Sequence, residues 1–289
     1  MKSGDASKHE IERIISFIEK SVQELGSLGA VIGISGGIDS AVSVALAAKA
    51  LGKRNVLGLL LPERDTPRKA INDALSVCKQ LDISCSKISV TAAIRALGAY
   101  KLQPPARLFP GVVQRSFVRK KWAEYAERDD PFLMDLLDRG DERFRRGLAF
   151  YRAKNRIRMC RLYLEAETRG YAVVGATNKT EYLTGLYVKW GDEAVDIEPI
   201  LHLLKTEVLK IARELNLPDV VIQKAPSADL IPGLIDQDTL GLDYNELDEA
   251  ITRIEDGYAT EEEPYKRLKK ILSAASRRRM KALNLLSET

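Results

Sequence analysis

The chain is short of the residues on which much metal and redox chemistry is built. It has two histidines, His9 and His202, and three cysteines, Cys78, Cys85 and Cys160, in 289 residues. Two histidines speak against a histidine-built metal centre. The cysteines form no CxxC pair and are expected to be reduced core thiols. Long apolar runs are missing too. None approaches the roughly 20 residues of a membrane-spanning helix, and the charged N-terminus has no signal-peptide core, so a cytoplasmic protein without a membrane partner is expected. Charge of one sign is equally lacking. The 45 basic and 41 acidic residues leave a net charge of +4, which gives no global footprint for nucleic acid. Local basic runs at 119–121 and 277–279 read as solvated helix faces or as contacts to a phosphate-bearing ligand. Internal repeats and low-complexity tracts are absent. What remains is 45% hydrophobic and 30% charged, the balance of a globular protein with ample core for one large α/β domain or two small ones.

Against that background one segment stands out. The apolar run Ala30-Val31-Ile32-Gly33-Ile34 leads into Ser35-Gly36-Gly37-Ile38-Asp39-Ser40, and a helix-forming stretch follows. A buried strand, a glycine turn and a helix N-terminus together make an anion site, because unpaired N–H groups and the positive end of the helix dipole face the turn. The paired glycines allow close backbone approach and the serines add hydroxyl donors. Asp39 would repel a phosphate on its own, but it suits the turn if it holds Mg²⁺ against phosphates. The Gly-Lys-Ser/Thr ending of the P-loop is missing. The plainer alternative is a Ser/Gly strand-to-helix turn with no ligand.

Around this loop, strand and helix patterns alternate. Residues 8–25 carry apolar positions at helical spacing. Strands are expected at 30–34, 55–61, 84–90 and 172–175, and helices at 40–51, 67–81, 153–168 and 204–215. The runs at 56–61 and 172–175 are apolar without alternation, as in a parallel strand covered on both faces. The expected fold is therefore a doubly wound, mainly parallel α/β sheet with its ligand outside the carboxyl ends of the strands. The rhythm breaks over 98–150, where Pro104-Pro105 and Phe109-Pro110 precede a charged, helix-rich stretch. Its length marks a helical insertion or lid within a single domain spanning 1–289. The aromatics Phe117, Trp122, Tyr125, Phe132, Phe144 and Phe150 are expected to pack it.

Beyond the insertion come Arg156-Ile157-Arg158-Met159, then Gly175-Ala176-Thr177-Asn178-Lys179-Thr180-Glu181 and Val188-Lys189-Trp190-Gly191-Asp192. Asp196-Ile197-Glu198-Pro199-Ile200 and Lys205-Thr206-Glu207 follow. The last block is Ala225-Pro226-Ser227-Ala228-Asp229-Leu230 with Asp236, Leu240-Gly241 and Leu247-Asp248. The Ser35 loop resembles the pyrophosphate loop of the N-type ATP pyrophosphatases. With these blocks in this order, the chain from about 8 to 275, the insertion apart, resembles the ammonia-dependent NAD synthetases, whose fold is Rossmann-like.

The resemblance implies a carbon–nitrogen ligase. The carboxylate of deamido-NAD attacks the α-phosphate of ATP, and ammonia displaces AMP from the acyl-adenylate to give NAD. Such chemistry needs alignment and charge neutralisation, which backbone donors, Mg²⁺ and lysine or arginine can supply without an acid–base histidine. By position in the family motif, Gly33, Ile34, Ser35, Gly36, Gly37, Ile38, Asp39 and Ser40 would hold the ATP phosphates, with Ala176, Lys205 and Ser227 completing the nucleotide site. Asp39 and Glu181 would hold Mg²⁺, and Asp39, Ser40 and Lys205 would carry catalysis. Arg156, Lys189, Asp196, Arg277 and Arg278 match positions that bind deamido-NAD. The family also implies a homodimer. No glutaminase motif surrounds any cysteine, so ammonia would come from solution or from a separate partner.

Departures from the family pattern gather on the acid-substrate side. Ala176 and Val188 stand where threonine is usual, Glu193-Ala194 replaces a Gly-Gly, and Arg277-Arg278 replaces a His-Lys pair. Two readings follow: a divergent synthetase acting on deamido-NAD, or a related ATP pyrophosphatase that activates a different carboxylate. A tRNA-modifying pyrophosphatase would call for catalytic cysteines and a basic surface. A nucleotide sensor without turnover is opposed by the intact Asp39 and Glu181.

Overall fold

Ile14, Ile18 and Val22 fall on one stripe of the first helix, α1 (Ser3–Glu24), and the stripe is buried. In the computed structural model, which describes residues 3–103, 111–224, 236–258, 260 and 262–284, α1 packs on the helix that follows the Ser35 loop. The chain then runs β1 (Ala30–Gly33), α2 (Ile38–Leu51), β2 (Val56–Leu60), α3 (Arg68–Leu81), β3 (Ser84–Lys87) and α4 (Thr91–Ala96). Next are α5 (Gly111–Ala126), α6 (Pro131–Leu136), α7 (Glu142–Arg169), β4 (Ala172–Val174), α8 (Lys179–Thr184) and α9 (Lys205–Glu214). The described chain closes with α10 (Asp219–Ile222), α11 (Asp236–Leu240), α12 (Tyr244–Glu255) and α13 (Tyr265–Arg279). No described helix is long and apolar enough to cross a membrane.

The strands pair in the order β3-β2-β1-β4, all parallel. Side-chain alternation splits the sheet between two cores. Ala30, Ile32, Val56, Leu60 and Val174 face α1, α2, α3 and α9, whereas Val31, Leu57, Leu59 and Val173 face α4 and α7. Every residue of β2 and β4 is buried, so their unalternating apolar runs are explained by cover on both faces. Full burial of one such side chain is worth roughly 1.5–3 kcal/mol, enough in sum to fix the register. This is the doubly wound sheet the sequence predicts. Strand order reverses between β1 and β4, and the carboxyl ends of these two strands flank the crevice where such sheets take ligands.

The described residues of 98–150 are largely helical and build a third core. Phe132, Leu136, Phe144, Leu148 and Tyr151 pack with Leu247, Ile251, Leu268 and Ile271 of α12 and α13, and Trp122 and Tyr125 lie against them. Phe150 instead joins the core under the sheet. The side chain of Phe117 lies outside the described residues. The helix expected from 153 begins eleven residues earlier, at Glu142. Asp141 caps it by accepting from the Phe144 N–H at 2.8 Å, and Gly170 ends it in the left-handed region. α7 thereby serves two cores with its two halves.

The cysteine expectation needs correction. Cys78 is buried on α3, but Cys85 and Cys160 are exposed. Cys85 sits on β3, the edge strand, three of whose four residues are exposed. Cys160 lies on the outer face of α7.

Candidate active site

The turn after β1 is shaped by its own hydroxyls. Ser35 Oγ accepts from the Gly37 N–H at 3.2 Å, and Ser40 Oγ donates to the Gly37 carbonyl at 3.1 Å. Gly36 has φ +79°, and a β-carbon there would lie 2.5 Å from the Ala70 carbonyl oxygen of α3, so no other residue suits the position. Lys224 Nζ donates to the Gly36 carbonyl at 3.0 Å. Gly37 is the N-cap of α2, yet no side chain caps that helix. The positive end of α2 is left for an anion.

Asp39, in the first turn of α2, meets residues from two other elements. Its Oδ1 accepts from Asn178 Nδ2 at 2.8 Å and its Oδ2 from Lys205 Nζ at 2.5 Å. The same ammonium lies 3.1 Å from Glu181 Oε1. Asn178 follows the β4 turn and caps α8, accepting from the Glu181 N–H at 2.9 Å while Glu181 returns the bond to the Asn178 N–H. This capping box fixes Glu181 opposite Asp39. Lys205 begins α9, and its N–H donates to Thr180 Oγ1. Thr180 in turn donates to Asp248 Oδ1 at 2.5 Å, and Asp248 Oδ2 accepts from the Thr206 N–H at 2.8 Å. Tyr244, whose ring lies 5.2 Å from Lys205 Nζ, donates to Asp236 Oδ2 at 2.7 Å.

Electrostatically the group is crowded. Burial raises the Glu181 carboxyl to about 8; Lys205 opposes the rise, while Asp39 and Asp236 add to it. Burial alone would discharge Lys205, but Asp39 and Glu181 outweigh it and hold its pKa above the usual lysine value. Two carboxylates thus share one ammonium. Their oxygens converge on a single cation, a donor set of hard oxygens from the first turns of two helices that suits Mg²⁺ completed by water and phosphate.

The cleft beside this cluster, about 270 Å³, runs from the Ser35 loop and Asp39 past Ala176, Thr177 and Glu181 to Leu186, Tyr187, Gly191 and Asp192. Leu59–Leu61 and, on α7, Asn155, Arg158 and Met159 close its other wall. The expected nucleotide residues Gly33, Ile34, Ser35, Gly37, Asp39, Ser40 and Ala176 all line it. Gly36, Ile38 and Lys205 belong to the same loop and cluster, and Ser227 lies outside the described residues.

The acid-substrate set is distributed differently. Arg156 donates to the Lys189 carbonyl at 3.1 and 3.3 Å. Lys189 Nζ donates to the Met280 carbonyl and sits 5.1 Å from the Trp190 ring. Asp196 accepts from the Val173 N–H at 2.8 Å and from Tyr163 Oη at 3.0 Å. Arg277 is half-exposed beside Asp138. Arg278 is buried on Asp135 and on the carbonyls of Gly185 and Tyr187, not open to the cleft. Glu193, where a glycine was expected, accepts from the Trp190 N–H at 2.9 Å and closes its own turn. Sequence reasoning gave no role to Asn178, Thr180, Tyr244 or Lys224. The Asn-x-x-Glu spacing at 178–181 was a readable capping-box signal; nothing local announces the other three.

Comparison with known proteins places this geometry. The profile of the NAD synthase family matches residues 10–116 and 137–283. The NH(3)-dependent NAD(+) synthetase of Thermotoga neapolitana is 49% identical over 93% of both chains, and that of Coprothermobacter proteolyticus is 38% identical over 89% of this chain and 88% of its own. Among solved structures, the NMN synthetase of Francisella tularensis superposes with TM-score 0.73 at 28% identity, covering 96% of this chain and 98% of its own. The NH3-dependent NAD synthetase of Campylobacter jejuni superposes with TM-score 0.69 over 96% and 98%, and at 24% identity it speaks to the fold alone.

One half-buried acid near the cleft has no expected role. Glu198 accepts from the Thr177 N–H at 3.3 Å, and burial, with Asp192 and Glu181 adding to it, lifts its carboxyl from 4.5 to about 8 against the Thr177 hydrogen bonds. A raised carboxyl favours the folded state below the unfolded pKa, and this advantage is lost as pH rises through the folded one. The melting temperature should therefore fall between pH 5 and 9 in the wild type. Glu198→Gln should fall less, by a few degrees at the alkaline end. Parallel melting curves for the two proteins would contradict the assignment.

Proposed function

Because the chain belongs to the NAD synthase family, we infer that it is an ATP-dependent carbon–nitrogen ligase that joins ammonia to the carboxylate of deamido-NAD. The products are NAD, AMP and pyrophosphate. The observation that carries this reading is the convergence of Asp39, Glu181 and Lys205 at the uncapped N-terminus of α2.

A carboxylate is a poor acylating agent, so its oxygen is first joined to the α-phosphate of ATP and pyrophosphate leaves. Two anions must be brought together. The N–H groups at the start of α2 receive the phosphates, with the Ser35 hydroxyl as a further donor and Ser40 holding the turn through its bond to the Gly37 carbonyl. Lys205 neutralises charge passing to the departing pyrophosphate. Asp39 and Glu181 are the residues that would hold Mg²⁺, which supplies Lewis-acid stabilisation of phosphate charge when bound. Ammonia then attacks the acyl carbon and AMP leaves with the bonding pair. Arg156, Lys189, Asp196 and Arg277 are assigned to recognition of the acid dinucleotide, where cations suit its phosphates. Arg278 is assigned to support of this side, and Ser227 to the nucleotide. The segment 98–150 is read as an insertion within a single domain spanning 1–289, and the use of ATP supports a cytoplasmic location. The enzyme is read as a homodimer using free ammonia or that of a separate partner.

The decisive assay follows NAD and pyrophosphate together from ATP, Mg²⁺, ammonium and deamido-NAD. Equal yields are expected, and Asp39→Asn should lower both by about a thousandfold or more with an unchanged circular dichroism spectrum. Pyrophosphate without NAD would redirect the reading to another acid. Lys205 occupies the position between the two carboxylates that a metal would take. Lys205→Met should therefore bind Mn²⁺ at least about tenfold more tightly than the wild type without ATP, read by Mn²⁺ electron paramagnetic resonance. Equal affinity would remove the competition. Light scattering at working concentration should give a dimer, and a monomer would count against that assignment.

A further inference from the structure

The family profile skips 117–136, and within that stretch lies a carboxylate with an unusual set of partners. Asp135, at 3% exposure, accepts from Tyr151 Oη at 2.6 Å and from Arg152 Nη2 at 2.7 Å, and its Oδ2 lies 2.9 Å from Arg278 Nη2. Arg278, itself 6% exposed, donates through Nη1 to the carbonyls of Gly185 and Tyr187. α6 also touches the same turn directly. Gly185 has φ +76°, and a β-carbon there would lie 2.7 Å from Leu136 Cδ2.

The turn gripped in this way is the root of the acid-substrate loop. Leu186 and Tyr187 form cleft wall. Beyond them Asp192 Oδ1 accepts from the Val188 N–H at 2.7 Å, and the Gly191 N–H donates to the Val188 carbonyl at 2.9 Å. Residues 185–192 are one hydrogen-bonded piece, clamped at its buried end and carrying Lys189 and Asp192 at the other. A guanidinium buried on two carbonyls needs a counter-charge, since it cannot shed its proton. Asp135 supplies it. We propose that Asp135, acting through Arg278, is a positioning residue for the acid substrate: this segment, outside the family profile, sets the 185–192 loop and with it the affinity for the dinucleotide acid. ATP is assigned to the Ser35 loop and α2, and Glu181 meets the clamped turn through its backbone carbonyl, which accepts from the Gly185 and Leu186 N–H groups, so the clamp bears first on the acid-substrate loop. The proposal rests on the assignment of Lys189 and its loop to the acid substrate.

Steady-state kinetics on the full-length enzyme test it. Asp135→Asn should raise KM for deamido-NAD about tenfold while KM for ATP stays within about twofold. That variant leaves a buried cation unpaired and can unfold. The double variant Asp135→Leu/Arg278→Met removes both charges together, a change that packed interiors tolerate; Arg152 keeps Asp138 as its partner. It should melt near the wild-type temperature, show the same one-sided rise in KM, and exchange amide hydrogens faster at 185–192 than the wild type but not at 33–40. A folded double variant with both KM values unchanged, or with both raised equally, would overturn the proposal. If the wild type makes no NAD, the functional reading falls separately; the exchange pattern then decides the clamp, with unchanged protection at 185–192 refuting it.

Discussion

One ammonium group holds the site together. Lys205 Nζ reaches Asp39 and Glu181 at 2.5 and 3.1 Å, and the three residues begin α2, α8 and α9. α2 follows β1 and α8 follows β4, two strands that pair directly, so the contact draws on the β1–β4 pairing. The Lys205 side chain is nearly buried and the two carboxylates are mostly so, which strengthens the attraction relative to a surface pair. The ammonium also keeps two acids from repelling each other at the mouth of a phosphate site before any metal or nucleotide is present.

Around that contact, groups that finish helices also build the site. Asn178 caps α8 and steadies Asp39 with the same side chain. Thr180, on α8, accepts from the first N–H of α9 and donates to Asp248 of α12. Orphan donors at helix ends must be satisfied in any fold; here their partners are the residues that aim Asp39, Glu181 and Lys205. The first turn of α2, beside this cluster, is left without a side-chain cap, and that is where an anion is wanted.

Much of this was legible in the sequence, for physical reasons that differ by element. β2 and β4 could be read because burial on both faces forces an unbroken apolar run. The Ser35 loop could be read because its backbone requires glycine at Gly36. The start of α7 could not. Residues 142–152 are charged and face a core supplied by α12 and α13, so their helical character depends on contacts a hundred residues away. Cys85 and Cys160 were misjudged because a thiol carries no mark of whether its strand lies at an edge or its helix face is covered. The bond between Thr180 and Asp248 escaped for the same reason, as it spans 68 residues.

The departures from the family pattern look disruptive in one dimension and much less so in three. Glu193 replaces a glycine with a negative charge, yet its carboxylate takes the Trp190 N–H of its own turn. Arg278 stands in for a lysine and turns inward, where Asp135 balances it. In each case a polar group that could have met the substrate is satisfied by the backbone of the 185–194 segment instead. A loop tied to itself keeps one shape at the cost of direct contacts to its ligand. On the proposed assignment, recognition then falls on the cations Arg156 and Lys189 and on the accuracy with which the loop is held. The phosphate wall and the acid wall meet at the Glu181 carbonyl, which accepts from the N–H groups of Gly185 and Leu186, so a substitution that alters the internal brace bears first on the loop and reaches the Glu181 carboxylate only through its helix.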